Sequence, residues 1–387
     1  MVPSAVRTFG VEEEFVLVDA RTLRASAVGP AVVASAGSDG RGRLEAEMKQ
    51  EQIEVVSPPH ATYAALLDDL RLGRHLADTA AQRHGARVVA TGTSPAPLTP
   101  TLASGDRYAR MAERYGIVAR EQFTCGLHVH VSIESAEEGA AVLDRIRCWL
   151  PLLLALSTNS PMCHGVETGY QSYRYQTWGR WPTSGPSDIF GDHARYRAIV
   201  DGLVASGAVL DEGMIYFDAR LSRNHPTVEI RIADVPLYAD DAALLAILAR
   251  ALVETAAFEW RSGKQAPPIP TAVLVGAAWT ASKEGVTGSL LEPQTGRLAP
   301  APYVLEALID HVGSALALSG DSAIAADGVA RILSRGTGAQ RQLDVWKRTN
   351  RTDDVIADAA LATVDGGIGR GDLRPGAPAH EARVGAG

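Results

Sequence analysis

Apolar residues dominate Thr8–Asp19, a run rich in Val and Phe, which predicts a β-strand ended by Asp19-Ala20-Arg21. A strand pattern returns at Gln52–Val56, stopped by Pro58-Pro59, and at Arg87–Thr91. It is clearest at Phe123–Ile133, where Leu127, Val129, Val131 and Ile133 alternate with other residues. Met214–Asp218 and Thr227–Ile232 complete the expected strands, on either side of the turn-like Ser222-Arg223-Asn224-His225-Pro226. Helical spacing governs the rest. Leu66, Leu70, Ala77 and Ala81 share one face of Thr62–His84, with Gly85 as its stop. Arg107–Val118 and Ser135–Ser157 are expected helices, the second broken or kinked at Pro151. From Asp240 onward the pattern is almost all helix: Asp240–Trp260, Thr271–Lys283, Pro302–Leu316, Ser322–Leu333 and Gly338–Arg348. Asn159–Asp192 is long, aromatic, rich in Arg and Gly, and only partly regular, as functional loop regions are.

Composition narrows the classes. The 387 residues are 46% hydrophobic and 21% charged, an ordinary globular balance. A net charge of −8 argues against a broad basic surface for nucleic acid. The three cysteines, Cys125, Cys148 and Cys163, have no paired spacing, which speaks against a disulfide framework or zinc knuckle and fits a reducing cytoplasm. Met1–Phe9 lacks the pattern of a leader, and the apolar stretch Trp149–Leu156 is too short to cross a bilayer. A soluble cytoplasmic protein with no nucleic-acid or membrane partner is expected. No GxGxxG or GKS loop follows any strand, so a nucleotide would have to be held by another device.

The strand faces carry the candidate chemistry. Glu12 and Glu14 share one face, while Val11, Glu13 and Phe15 share the other. Three successive acids are costly to bury unless a cation neutralises them; taken alone, they fit a solvated edge strand equally well. Gln52 and Glu54 lie opposite Ile53 and Val55. Strict alternation puts Glu47 on the opposite face from Glu54, so a shared site would need a bulge between them. His128, His130 and Ser132 line one face of their strand. Two histidines at this spacing can open a zinc site, but no third His or Cys follows nearby. The surrounding carboxylates favour Mg²⁺ or Mn²⁺, with one His ligand. Glu229 and Arg231 share a face of Thr227–Asp234, as an in-strand ion pair or as a metal ligand beside an anion-binding group. Gly169–Pro182 sets Arg174 and Arg180 among aromatics, for cation–π packing or for clamping an anion. Arg331, Arg335 and Arg341 surround a Gly-rich break that reads as a helix cap or an anion site.

Taken in order, FGVEEEF at Phe9–Phe15, QIEVVSPP at Gln52–Pro59, CGLHVHVSI at Cys125–Ile133, TGYQSYRYQTWGRWPTSGP at Thr168–Pro186, TVEIRIADV at Thr227–Val235 and RGTGAQRQ at Arg335–Gln342 resemble the type 2 glutamate–cysteine ligase family, in particular its YbdK-like carboxylate-amine ligases. The resemblance implies an α+β fold like the glutamine synthetase catalytic domain, with a curved, mainly antiparallel sheet forming a funnel backed by helices. It implies one catalytic domain over residues 1–365, while the Gly-, Ala- and Pro-rich composition of 366–387 predicts a disordered tail. It implies ATP and two or three Mg²⁺ ions, a small-molecule carboxylate (typically glutamate) that is phosphorylated, an amine that displaces phosphate, and a homodimer. By the same resemblance Glu12, Glu14, Glu47, Glu54 and Glu229 are metal ligands, and His128 is a metal or γ-phosphate contact. Arg174, Arg180 and Arg231 contact phosphate or substrate carboxylate, Arg335 is a further nucleotide contact, and Glu13 is structural. Two segments depart from the family pattern, Thr158–Cys163 and Phe217–His225, and both are expected to bear on substrate choice. A phosphotransferase of related fold and a non-catalytic ligand sensor are the alternative readings.

Overall fold

The computed structural model describes residues 6–37 and 43–365. The expected disordered tail at 366–387, residues 1–5 of the leader reading and residues 38–42 of the polar stretch lie outside the described residues.

Seven strands form the main sheet: β1 (Phe9–Asp19), β2 (Leu44–Ala46), β3 (Gln52–Val56), β4 (Ala86–Val89), β5 (Gly126–Ser132), β8 (Ala219–Leu221) and β9 (Thr227–Asp234). Two hairpins stand apart, β6 (Met162–Cys163) with β7 (Val166–Glu167), and β10 (Ser289–Glu292) with β11 (Arg297–Pro300). The main order is β2-β3-β1-β5-β9-β8, and every pairing is antiparallel. β1 is long enough to change neighbours. Its first half pairs with β5, its last four residues with β4, and β3 runs along its other edge.

Register decides the site. Glu12 lies opposite His128, and Glu14 lies opposite Glu54. The reverse faces of β1, β5 and β9 bury Phe9, Val11, Leu127, Val129, Val131, Val228 and Ile230 against a helical layer centred on Ala239–Arg261. Phe15, Leu17, Ile53, Val55 and Val88 pack in a second cluster with Ala77, Ala81, Ile356 and Ala359. Glu13 points into this apolar side and is fully buried. Arg74, from the helix Tyr63–Gln82, donates to both its oxygens, at 3.1 and 2.5 Å, and also to the carbonyls of Pro236 and Leu237. This bond set pins the acidic strand to the chain just after β9.

The strands expected at Thr8–Asp19, Gln52–Val56, Arg87–Thr91, Phe123–Ile133 and Thr227–Ile232 are present, with shifted ends, as β1, β3, β4, β5 and β9. The one expected at Met214–Asp218 is not. Glu212–Met214 is a 3₁₀ turn whose Gly213 N–H is capped by the Asp211 carboxylate, and pairing begins only at Ala219. Arg220 takes the carbonyls of Gly213 and Ile215, acceptors that a longer ladder would have needed. The helix expected at Arg107–Val118 is split by Gly116 (φ +57°) into Asp106–Tyr115 and Ile117–Glu121. That at Ser135–Ser157 divides into Ala136–Ile146 and Leu150–Ser157, with Pro151 in the first turn of the second piece. His193–Ala205 is helical although no helix was expected there; it buries only Tyr196 and Val200, too thin a stripe to read from sequence. No described helix is long and apolar enough to cross a membrane.

Removing one partner of a buried pair leaves the other charge unneutralised, at a cost of about 3–5 kcal/mol. Arg74→Met is therefore expected to destabilise the protein by that amount in urea unfolding, and the double variant Glu13→Leu/Arg74→Met to recover most of it. An Arg74→Met protein within about 1 kcal/mol of wild type would contradict this role.

Candidate active site

The polar faces of β1, β3, β5 and β9 border a cavity of about 540 Å³ lined by Glu12, Glu14, Glu47, Glu54, His128, Glu229 and Arg231. Ligand atoms of these residues gather into three overlapping trios, each within 4.8 Å: Glu12–His130–Glu229, Glu12–Glu54–His128 and Glu14–Glu47–Glu54. His128 Nδ1 is 3.0 Å from Glu12 Oε2, and His130 Nε2 is 3.2 Å from Glu12 Oε1. The two histidines thus belong to different trios and do not form one zinc-like pair. His130 Nε2 is buried and makes no hydrogen bond, which leaves a lone imidazole nitrogen facing carboxylates.

Glu47 reaches the cluster by a route other than the bulge that strict alternation demanded. It follows β2, whose Glu45 pairs with Glu54, and the turn between β2 and β3 brings its carboxylate beside Glu14 and Glu54.

Charge in this cavity is unbalanced. Burial raises the Glu47 carboxyl to about 8, and the neighbouring Glu14 adds to the effect. Burial, with Glu47, Glu12 and Glu14 nearby, holds Glu54 well above the usual range. Burial acts the same way on Glu12, but the hydrogen bond with His128 and the adjacent His130 outweigh it and keep Glu12 well below. Glu229 is buried too, yet Arg231 and Arg220 hold it ionised. His128 is lowered by burial and by Arg231. Carboxylates and imidazoles at this spacing suit hard divalent cations. The residues fit Mg²⁺ or Mn²⁺.

Arg231 pairs with Glu229, and its buried Nε has no partner. Arg220 grips the same carboxylate at 2.8 and 3.2 Å. Sequence reasoning had not assigned Arg220 a role, although its register opposite Glu229 is the signal that would have found it. Arg107, bound to Asp211, and Arg223 also line the cavity; they come from segments that no local pattern links.

Three expected site residues lie elsewhere. Arg174 is buried beneath the sheet edge, donating to the carbonyls of Arg231 and Ile232 and lying 3.9 Å from Asp234. It packs so tightly on β5 that a Cβ at Gly126 would fall 2.2 Å from its Nη2. Arg180 pairs with Glu121 on the border of a separate cavity of about 840 Å³. Arg335 pairs with Asp241 and stacks on Tyr238. Of the two departing segments, Ser222–His225 lines the cavity, whereas Asn159 is locked by Ala90, Val235 and Gln342 in the interior.

The family model for "Glutamate-cysteine ligase family 2" matches residues 8–361. The chain belongs to glutamate–cysteine ligase family 2. Among its relatives in this family, "Putative glutamate--cysteine ligase 2-1" of Paenarthrobacter aurescens is 52% identical over 366 residues, covering 93% of this chain and 95% of its own. The protein of the same name from Streptomyces avermitilis is 46% identical over 360 residues, covering 92% and 99%. The fold resembles a glutamate–cysteine ligase of Francisella tularensis solved with AMP (TM-score 0.65, 13% identity, 94% of this chain and 89% of that one). It also resembles a bifunctional glutathione synthetase from Pasteurella multocida (TM-score 0.66, 14% identity, 93% and 52%). The protein is accordingly a carboxylate-amine ligase, an enzyme that forms a carbon–nitrogen bond.

Converging carboxylates repel, so Glu54→Gln is expected to raise the melting temperature of the metal-free protein by several degrees. The same change should abolish most of the upward shift that Mg²⁺ or Mn²⁺ gives the wild type. A wild type that shows no shift in either cation would overturn the assignment of the trios.

Proposed function

We propose that this ligase uses ATP to join a carboxylate, with the γ-carboxylate of glutamate as the leading substrate, to an amine through an acyl phosphate. One observation carries the reading: six metal-ligating residues, Glu12, Glu14, Glu47, Glu54, His128 and Glu229, converge on one sheet face beside Arg231. The trios would hold Mg²⁺, which would supply positive charge against that gathered during phosphoryl transfer.

The groove has two unlike ends. Beyond Glu12 and His130 it opens into a mostly apolar slot of about 260 Å³, walled by Val56, Pro59 and Pro226. An apolar slot next to the ligand trios suits an adenine ring whose triphosphate runs toward Glu12. The opposite end is walled by Tyr108, Trp178, Trp181 and Tyr216 and would receive the carboxylate and the amine.

The chemistry then follows from placement. A carboxylate oxygen attacks the γ-phosphorus, and the bond to the bridging oxygen of ADP breaks. Arg231, anchored by Glu229, turns its unpartnered Nε toward the transferring group's oxygens. The amine nitrogen next attacks the acyl carbon. The carbon–oxygen bond to phosphate breaks, and phosphate leaves with the bonding electrons and the proton that nitrogen gives up. The packed aromatic wall limits water, which would otherwise hydrolyse the acyl phosphate.

The test is phosphate release from ATP, Mg²⁺ and glutamate with a panel of amines, with products read by mass spectrometry. Release that depends on amine, together with a γ-glutamyl amide, is expected. Arg231→Met should lower kcat about 10²- to 10³-fold and leave the ATP KM within a few-fold. Release indifferent to every amine, with no amide, would sink the ligation mechanism in favour of simple phosphoryl transfer.

A further inference from the structure

The catalytic groove has a neighbour. The cavity of about 840 Å³ bordered by Arg180 shares a wall with it. Two helices build that wall. On Tyr173–Trp178, Trp178 lines the groove and Thr177 the second cavity. On Asp106–Tyr115, Met111 and Ala112 divide in the same way. Gln122 lines both spaces. It is 3% exposed, its Nε2 donates to Thr124 Oγ1 at 2.8 Å, and its Oε1 has no partner. A buried acceptor left unsatisfied is costly, and an ammonium or amine N–H would satisfy it. On the groove side the Thr124 carbonyl accepts from Gln52, on the Glu54 face of β3.

The second cavity suits a small zwitterion. Lys49, 1% exposed, donates to the carbonyls of Ala119 and Arg120 at 2.9 and 2.8 Å. It thereby fixes the end of the short helix Ile117–Glu121, from which Arg120, Glu121 and Gln122 line the cavity. Arg180 meets Glu121 at 3.0 Å, and Arg120 makes no ion pair among the described residues. Two guanidiniums against one carboxylate leave a place for one more anion. The Arg180–Glu121 pair is partly exposed, so it changes partners at little cost. Leu98, Leu102, Ile117 and Phe123 supply apolar surface.

Resting on the ligase reading above, we propose that this cavity is the port by which an amino-acid acceptor reaches the acyl phosphate. Arg120, with Arg180 beside it, takes the α-carboxylate, Gln122 Oε1 takes the amino group, and a small apolar or thiol side chain lies against the apolar wall. Once the acyl phosphate has formed, nucleotide and donor fill the groove, and water must stay out. An entrance closed by one amide side chain admits the amine while the groove remains covered.

The experiment compares L-cysteine with cysteamine, the same amine and thiol without the carboxylate, on the full-length protein with ATP, Mg²⁺ and glutamate, measuring amide by mass spectrometry. Arg120→Ala is expected to lower kcat/KM for cysteine about tenfold, to leave that for cysteamine unchanged, and Arg120→Lys to recover part of the loss. Leu98→Trp, which plugs the cavity from an exposed position, should raise the KM of both acceptors several-fold. The KM values of ATP and glutamate and the melting temperature should stay put in all three variants. Losses equal for cysteine and cysteamine in Arg120→Ala, or a Leu98→Trp protein with unaltered acceptor KM, would overturn the proposal and leave the ligase reading standing. A wild type that forms no amide with either acceptor would instead strike the ligase reading itself, and this proposal with it.

Discussion

Like charges brought together in a groove of low dielectric are the constraint on which this structure turns. Glu12 and Glu14 from β1, Glu54 from β3, Glu229 from β9 and Glu47 from the turn after β2 project toward one volume. Their mutual repulsion grows as water is excluded. The protein answers it unevenly. Arg231 and Arg220 neutralise Glu229, and the two histidines hold Glu12 ionised. Glu47 gets only the Met48 N–H and the nearby Arg231, and burial with neighbouring acids pushes it and Glu54 toward their acid forms. This uneven compensation leaves the Glu14–Glu47–Glu54 end with the greatest demand for positive charge.

The scaffold keeps that demand confined to one face. Strand alternation sends Glu13 the other way, into the core, where Arg74 meets it with two hydrogen bonds and ties β1 to the segment after β9. Arg174 does a related task at the sheet edge, taking the carbonyls of Arg231 and Ile232 and wedging against Gly126. Both arginines sit behind the groove and hold strands in register. Arg107, Arg220 and Arg231 in the groove are anchored by acids, so their guanidiniums are oriented before any substrate arrives.

Much of this was legible in the sequence because a strand's period of two is an unambiguous code. It separated Glu12 and Glu14 from Glu13, and it placed His128 with His130 and Glu229 with Arg231. The code failed where the chain leaves a strand. Glu47 arrives through a turn, which alternation cannot describe. Arg180 and Arg335 were read from motif neighbourhood alone, and tertiary packing gave them to Glu121 and Asp241. Arg107 and Asp211 are 104 residues apart, so no local pattern joins them. The strand expected at Met214–Asp218 gave way to a turn because Arg220 claims its acceptors.

The central claim is that these carboxylates exist to hold divalent cations against the phosphates of a nucleotide. Diffraction from crystals grown with Mn²⁺ and a non-hydrolysable ATP analogue tests it most directly, since manganese is located by its anomalous scattering. The account predicts anomalous peaks among Glu14, Glu47 and Glu54 and beside Glu12 and Glu229, with phosphate oxygens completing the coordination. Manganese bound elsewhere, or a groove that holds nucleotide without any anomalous peak at these glutamates, would contradict it.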